Sequence, residues 1–257
     1  MKPQQLWVAF WTILYREVRR FTRIWAQTLL PPVITITLYY IIFGNLIGSR
    51  IGEMGGFGYM EYIVPGLIMM SVITNSYSNV VSSFYSSKFQ HNVEELLVSP
   101  VPNWIILWGY VFGGVARGLI VGVMVTLLSL FFTDLQVHHL GITVLVVILT
   151  AMLFALGGFL NAIFAQSFDD VSIVPTFVLT PLTYLGGVFY SINLLPEFWQ
   201  NVSLLNPILY MVNTFRYGIL GVSDINIGFA LTAVVVFIGL LTSWALHLLK
   251  TGKGLRS

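Results

Sequence analysis

The sequence predicts an all-α, polytopic membrane protein: six transmembrane helices, an N-terminal amphipathic helix in the interface, and two helical segments outside the spans. Three observations carry this. The 257 residues are 57% hydrophobic and only 9% charged, against roughly 25% charged in an ordinary soluble domain, so polar groups are too few to cover a globular surface. The apolar residues come in long runs rather than at amphipathic spacing. Cysteine is absent, which excludes disulfides, thiolate metal sites and cysteine nucleophiles.

The first 23 residues have the pattern of a helix lying on a membrane. Trp7, Phe10, Trp11, Leu14, Val18 and Phe21 recur at helical spacing, and Thr12, Arg16, Arg19, Arg20 and Arg23 take the other side. A tryptophan-rich face beside a basic face suits the interface of an anionic leaflet. Its role is either an anchor for the first span or a contact with a partner. It is not a cleavable signal, because about two dozen residues precede an apolar run long enough to span.

A span needs about 20 mostly apolar residues. Stretches near 25–47, 60–84, 103–132, 141–165, 172–190 and 227–249 meet or approach that length. The fifth is short and contains Pro175 and Pro181, so a kink is expected there. Six spans put both termini on one side, and basic residues choose the side. Lys2, Arg16, Arg19, Arg20, Arg23, Lys88, Lys250, Lys253 and Arg256 fall on the terminus side. Arg50 and Arg216 fall on the other, and Arg117 lies inside the third span. Both termini are therefore expected in the cytoplasm. The net charge of +2 reflects this orientation rather than a nucleic-acid partner. The whole chain, 1–257, reads as one transmembrane domain.

Two segments outside the spans are helical in pattern. In 84–100, Phe89, Val93, Leu96 and Leu97 share a helical face, Ser86 or Ser87 is a candidate cap, and Pro100 ends the helix. Such an element lies on lipid or docks into a groove on another protein. Segment 190–226 holds two apolar pieces, Leu194–Leu205 and Ile208–Leu220, split by Asn206–Pro207. Each is too short to span, and with Phe198, Trp199 and Tyr210 they fit a re-entrant or interfacial hairpin on the external side.

Enzymatic constellations are lacking. There is no phosphate loop and no H-E-x-x-H motif. Gly55–Gly56–Phe57–Gly58 reads as a flexible external turn. His138 and His139 are adjacent and would point apart. The clearer signals are polar groups inside spans, which are costly and line pathways or interfaces. Asn75, Asn79 and Ser82 form a stripe on the second span, flanked by Thr74 and Ser78. The stripe either faces a translocation path or bonds helix to helix. In the third span, Gly109, Gly113, Gly114, Gly118 and Gly122 read as close-packing positions. Arg117 among them needs a carboxylate, a carbonyl or a water-filled cavity. Asp169 and Asp170 are candidate partners only if folding brings them there.

Three stretches resemble the permeases of type-2 ABC export systems. These are Tyr62–Ile63–Val64–Pro65–Gly66, Glu94–Glu95–Leu96–Leu97–Val98–Ser99–Pro100–Val101, and Leu185–Gly186–Gly187–Val188–Phe189 through Leu195–Pro196 to Leu205–Asn206–Pro207–Ile208–Leu209–Tyr210 and Arg216. The resemblance runs along nearly the whole chain. It implies a permease of the bacterial inner membrane that works as a dimer, most simply a homodimer, with two copies of a separate ABC ATPase. ATP and magnesium would sit on that partner, with no cofactor on this chain. The resemblance makes 84–100 the coupling helix, with Phe89, Val93, Glu94, Glu95, Leu96, Leu97, Ser99 and Pro100 as ATPase-coupling residues. It makes 190–216 an external gate, with Pro196, Trp199, Asn206, Pro207, Tyr210 and Arg216 as gate residues. Asn75, Asn79, Ser82 and Arg117 are the candidate translocation path. A stand-alone secondary transporter or channel is the alternative; it would show paired acidic residues in spans or an internal repeat, and neither is clear here.

Overall fold

The computed structural model describes residues 2–255. Of the basic residues counted for orientation, Arg256 lies outside the described residues. The fold is helical throughout, apart from a two-residue hairpin in which Glu53–Met54 pairs antiparallel with Phe57–Gly58. Its turn residues, Gly55 and Gly56, both have positive φ (62° and 83°), which glycine tolerates without strain. This is the expected turn.

The helices are α1 (Pro3–Arg23), α2 (Trp25–Thr28), α3 (Leu30–Tyr39), a π-helical turn (Tyr40–Ile47), α4 (Gly48–Ile51), α5 (Tyr59–Phe89), α6 (Asn92–Val98) and α7 (Asn103–Ser129). After them come α8 (Leu140–Phe164), α9 (Phe168–Val174), a second π turn (Pro175–Leu179), α10 (Thr180–Tyr184), α11 (Glu197–Leu204), α12 (Pro207–Leu220) and α13 (Ile227–Thr251). The predicted second, third, fourth and sixth spans each fall on one helix, and the first and fifth each fall on several short elements in succession. Among the described residues, four stretches are long and apolar enough to cross a membrane: Trp25–Gly44, Asn103–Ser129, Leu140–Phe164 and Ile227–Thr251.

The predicted second span is the helix α5, and it is the centre of the molecule. It packs against α7, α8 and α12 and buries most of its length. Its asparagines, serines and tyrosines lower its hydropathy, and protein rather than lipid surrounds them. Glycines make the packing close. A Cβ on Gly114 would meet Val80 at 2.5 Å, one on Gly118 would meet Ser76, and one on Gly158 of α8 would lie 2.5 Å from the Tyr77 carbonyl. The small residues of α7 therefore act as a packing groove, as their spacing predicted.

The fifth span departs from its predicted bounds of 172–190. The helix begins earlier, at Phe168, where Ser167 and Asp170 form a reciprocal cap. It ends at Tyr184, and Leu185–Phe189 is a turn in which Gly187 has φ +70°. Pro175 and Pro181 are accommodated by the π turn between them, since a proline removes a donor from the i→i−4 ladder.

Helix α1 packs along α7 rather than only resting on lipid. Its buried residues are Ile13, Glu17 and Phe21, and Gly109 and Gly113 leave the space that Ile13 and Glu17 fill. Trp7 and Trp11 remain largely exposed, and Trp7 with Phe10 borders a groove of about 580 Å³ closed by Trp104, Trp108 and Phe112.

Candidate functional site

The short helix α6 follows a sharp break in the chain. α5 ends at Phe89, and His91 takes a left-handed conformation (φ 59°) before α6 begins at Asn92. The helix thus starts later than a Ser86 or Ser87 cap would place it, and both serines lie inside α5. Phe89 belongs to α5 as well. It packs with Tyr85 and Phe168 (centroids 6.4 and 5.1 Å) instead of sharing the α6 face. On α6, Val93 is buried and Leu96 and Leu97 are half-buried against the core, while Glu94 and Glu95 face outward. Val98 is 88% exposed, an outward apolar residue that the amphipathic reading did not single out. Ser99 caps the end by donating to the Leu96 carbonyl (2.6 Å), and Pro100 is exposed beyond it.

Lys88 anchors this end of α5. Its Nζ donates to the carbonyls of Ile163 and Ala165 (2.6 and 2.8 Å) at the C-terminus of α8, where a cation meets the negative end of the helix dipole. Burial holds its ammonium below the usual lysine range. A cavity of about 490 Å³ opens beside it, bordered by Phe89, His91, Glu94 and Leu255.

The polar stripe of α5 is bonded to arginines. Arg20 Nη2 donates to both the carbonyl and Oδ1 of Asn79 (2.9 and 2.8 Å). Ser82 Oγ shares that Asn79 carbonyl (3.2 Å). Arg117 Nη2 donates to Asn75 Oδ1 and to the Thr28 carbonyl (3.1 Å each). Asp169 and Asp170 are therefore not its partners: Asp170 caps α9 by accepting from Gln166 and Ser167. One level closer to α6, Arg16 donates to Tyr110 Oη (2.5 Å), which donates to Ser87 (3.1 Å). Glu17 is 1% exposed and lies 3.6 Å from both Arg16 and Arg20. Of the two open readings, helix-to-helix bonding is what Asn75 and Asn79 do. Glu17, Arg16 and Arg20 were not counted as site residues. The available signal was a carboxylate at i+4 from Ile13 and i−4 from Phe21, a charge in an otherwise apolar row.

At the opposite end of α5, the other two motif stretches meet. Arg216 is 1% exposed on α12. Its Nε donates to the Tyr62 carbonyl (3.3 Å), its Nη2 donates to the Gly187 carbonyl (2.6 Å), and its guanidinium lies 4.0 Å from the Tyr62 ring centroid. Gly66 is the point of closest approach, because a Cβ there would strike the Val188 backbone. The two helical pieces of 190–226 appear as α11 and α12, as predicted. Pro196 opens α11, and Trp199 is exposed on it. Asn206 accepts from the Ile208 amide (3.0 Å) and donates to the Leu182 carbonyl (2.5 Å), and Pro207 is the first residue of α12. Tyr210 Oη donates to the Leu204 carbonyl (2.6 Å), pinning the two pieces together. Asp224, not anticipated, accepts from Ser191, the Ile192 amide and Asn193.

Helix α5 thus joins the exposed short helix α6 at one end to the buried Arg216 at the other, and among the described residues no group of three or more acidic or histidine side chains is placed to hold a metal ion. Residues 8–220 match the model of the ABC-2 type transporter family, and the chain belongs to that family of membrane transport permeases. It is 62% identical to the inner membrane transport permease YadH of Escherichia coli (strain K12) over 251 residues, covering 98% of each chain. It is also 21% identical to nodulation protein J of Rhizobium meliloti (strain 1021), covering 90% of this chain and 87% of that one.

Proposed function

We propose that this chain is the membrane subunit of an ATP-driven exporter of the bacterial inner membrane, with ATP hydrolysis carried out by a separate ATPase. In this reading α2 to α4, α5, α7, α8, α9 to α10 and α13 are its six spans, and both termini face the cytoplasm. Two copies pair as a homodimer on two ATPase subunits. The 62% identity to a transport permease supports membrane and transport, and the skew of basic residues toward the terminus side supports the orientation.

The observation that carries the coupling step is the outward face of α6, made by Glu94, Glu95 and Val98 at the end of the central helix. Two carboxylates beside one apolar side chain suit a groove with a basic rim and an apolar floor. Val93, Leu96 and Leu97 tie α6 to the bundle, so movement of the docked ATPase is passed to α5. At the far end, α5 is tied through Tyr62 and Gly66 to the Gly186–Gly187 turn and Arg216. ATP binding can bias such an assembly only through contacts that differ between its two states. The α6 contacts supply that difference, and the α11–α12 hairpin acts as the outer gate.

Charge reversal of the pair (Glu94→Lys with Glu95→Lys) or Val98→Asp is expected to abolish ATPase stimulation by the permease and to leave its thermal stability unchanged, because these side chains face outward. Leu96→Ala with Leu97→Ala is expected to reduce both. ATPase turnover with reconstituted subunits, read beside detergent melting curves, separates the two. Undiminished stimulation by the Glu94, Glu95 and Val98 variants would sink the docking role of α6.

A further inference from the structure

Three guanidinium groups climb α5 in steps. Arg16 sits at the level of Ser87 through Tyr110, Arg20 at the level of Asn79, and Arg117 at the level of Asn75. At 1.5 Å per residue these levels span roughly 18 Å of the helix, from the α6 end toward the middle of the bilayer. The charges do not balance. Among the described residues, the single carboxylate in ion-pair reach of the three is Glu17, and it reaches only Arg16 and Arg20. Arg117 has neutral partners alone, the Thr28 carbonyl and the Asn75 amide oxygen, and its buried Nε has no partner. Arg117 lies inside the third span, where a cation is costly unless paired, and Arg16 and Arg20 below it share a single carboxylate, so the row keeps two unbalanced positive charges and marks a place for an anion.

The groups are also reachable. The side chains of Arg16 and Arg20 are 48% and 33% exposed, and Ser82, half-buried, points its hydroxyl at the same Asn79 carbonyl that Arg20 uses. Planar guanidinium forks match phosphate oxygens better than point charges do. The surrounding surface is apolar: on its other side α1 presents Trp11, Leu14 and Val18 beside Phe112 and Leu119 of α7. A ligand here has an anionic head and an oily body.

We propose that Arg16, Arg20 and Arg117 form a track for the phosphate of an amphiphilic lipid, which enters at the α6 end and is handed inward from one guanidinium to the next. Glu17 holds the first two arginines in place without neutralising the track. The track deepens the exporter reading by giving its cargo a chemical class, but phosphate binding itself does not depend on ATP.

The test uses the full chain in detergent, offered equal amounts of phosphatidylglycerol and of diacylglycerol with the same acyl chains, with retained lipid counted by native mass spectrometry. The wild type is expected to retain phosphatidylglycerol about tenfold or more over diacylglycerol, the effect of one charged hydrogen bond. Arg117→Gln and Arg20→Gln are expected to bring the ratio near one, and Arg117→Lys to restore part of it. Arg19→Gln, on the exposed side of α1, is expected to keep the wild-type ratio. Equal retention of the two lipids by the wild type overturns the track whether or not the variants fold. So does an Arg19→Gln loss as large as that of Arg117→Gln, which would mean attraction to the basic surface alone. With the ATPase and ATP added, release of the phospholipid marks it as cargo and retention marks it as a resident lipid, and both put a phosphate on the arginines. If the ATPase coupling fails but the lipid preference stands, the exporter reading falls and the phosphate site does not.

Discussion

Single residues decide how closely the helices approach. Gly157 and Gly158 are neighbours on α8, yet a Cβ at 158 would lie 2.5 Å from the Tyr77 carbonyl while one at 157 would sit 3.8 Å from the Tyr77 ring. Backbone cannot swing aside as a flexible side chain can, so Gly158→Val is expected to destabilise the bundle by about 1–3 kcal/mol. Gly157→Ala is expected to be close to neutral, and melting in detergent checks the pair. Asp170 offers a pH test. Its carboxylate is held below the ordinary 3.8, first by the Gln166 amide and then by the Ser167 hydroxyl. A carboxyl lowered on folding stabilises above its unfolded value, and that stabilisation is lost as pH falls through the lower folded one. Amide exchange at Gln166 and Ser167 should therefore be slower in the wild type than in Asp170→Asn at neutral pH. The difference should disappear as the pH drops well below 3.8. Glu17 shows the limit of residue-level reading: its position between Ile13 and Phe21 was visible, but that Gly113 of α7 would leave the space its side chain fills was not.

Helical elements were legible in proportion to how far their cause is local. Span lengths follow from runs of apolar residues, and α7, α8 and α13 begin and end within a few residues of the expected places. The break at Asn206–Pro207 was readable because proline fixes its own φ and asparagine caps the next helix. The end of the fifth span was not, since Leu185–Phe189 is as apolar as a helix and turns only because Gly187 can take positive φ. That α1 packs along α7 through Ile13, Glu17 and Phe21 was not legible for another reason. Lipid and protein interior are equally apolar solvents, so periodicity finds the oily side of a helix but not what covers it. The same holds for Phe89, which shares the spacing of Val93 and Leu97 but is cut off from them by the His91 break.

At the scale of the whole molecule, the expected arrangement puts α6 and the α11–α12 hairpin on opposite faces of a bilayer. The chain contains no cysteine, so single cysteines can report this in an otherwise native background. Val98→Cys is expected to react with an impermeant maleimide only in inside-out vesicles. Leu205→Cys, at the exposed tip of the hairpin, is expected to react only in intact cells. Labelling of both from one side would overturn the topology. What sequence could not convey at this scale is that two motif stretches more than a hundred residues apart, Tyr62–Gly66 and Leu185–Phe189, close on one arginine.

The continuity of α5 has a mechanical side. Thirty-one residues in one helix make a strut about 46 Å long, longer than the roughly 30 Å of hydrocarbon that a span must cross. Between Val72 and Val80 it lies against glycines of α7 and α8, which present backbone rather than branched side chains. A strut in a smooth bearing swivels or slips before it bends. In the proposed coupling, torque applied at its inner tip is passed to the Gly186–Gly187 turn instead of being absorbed along the way.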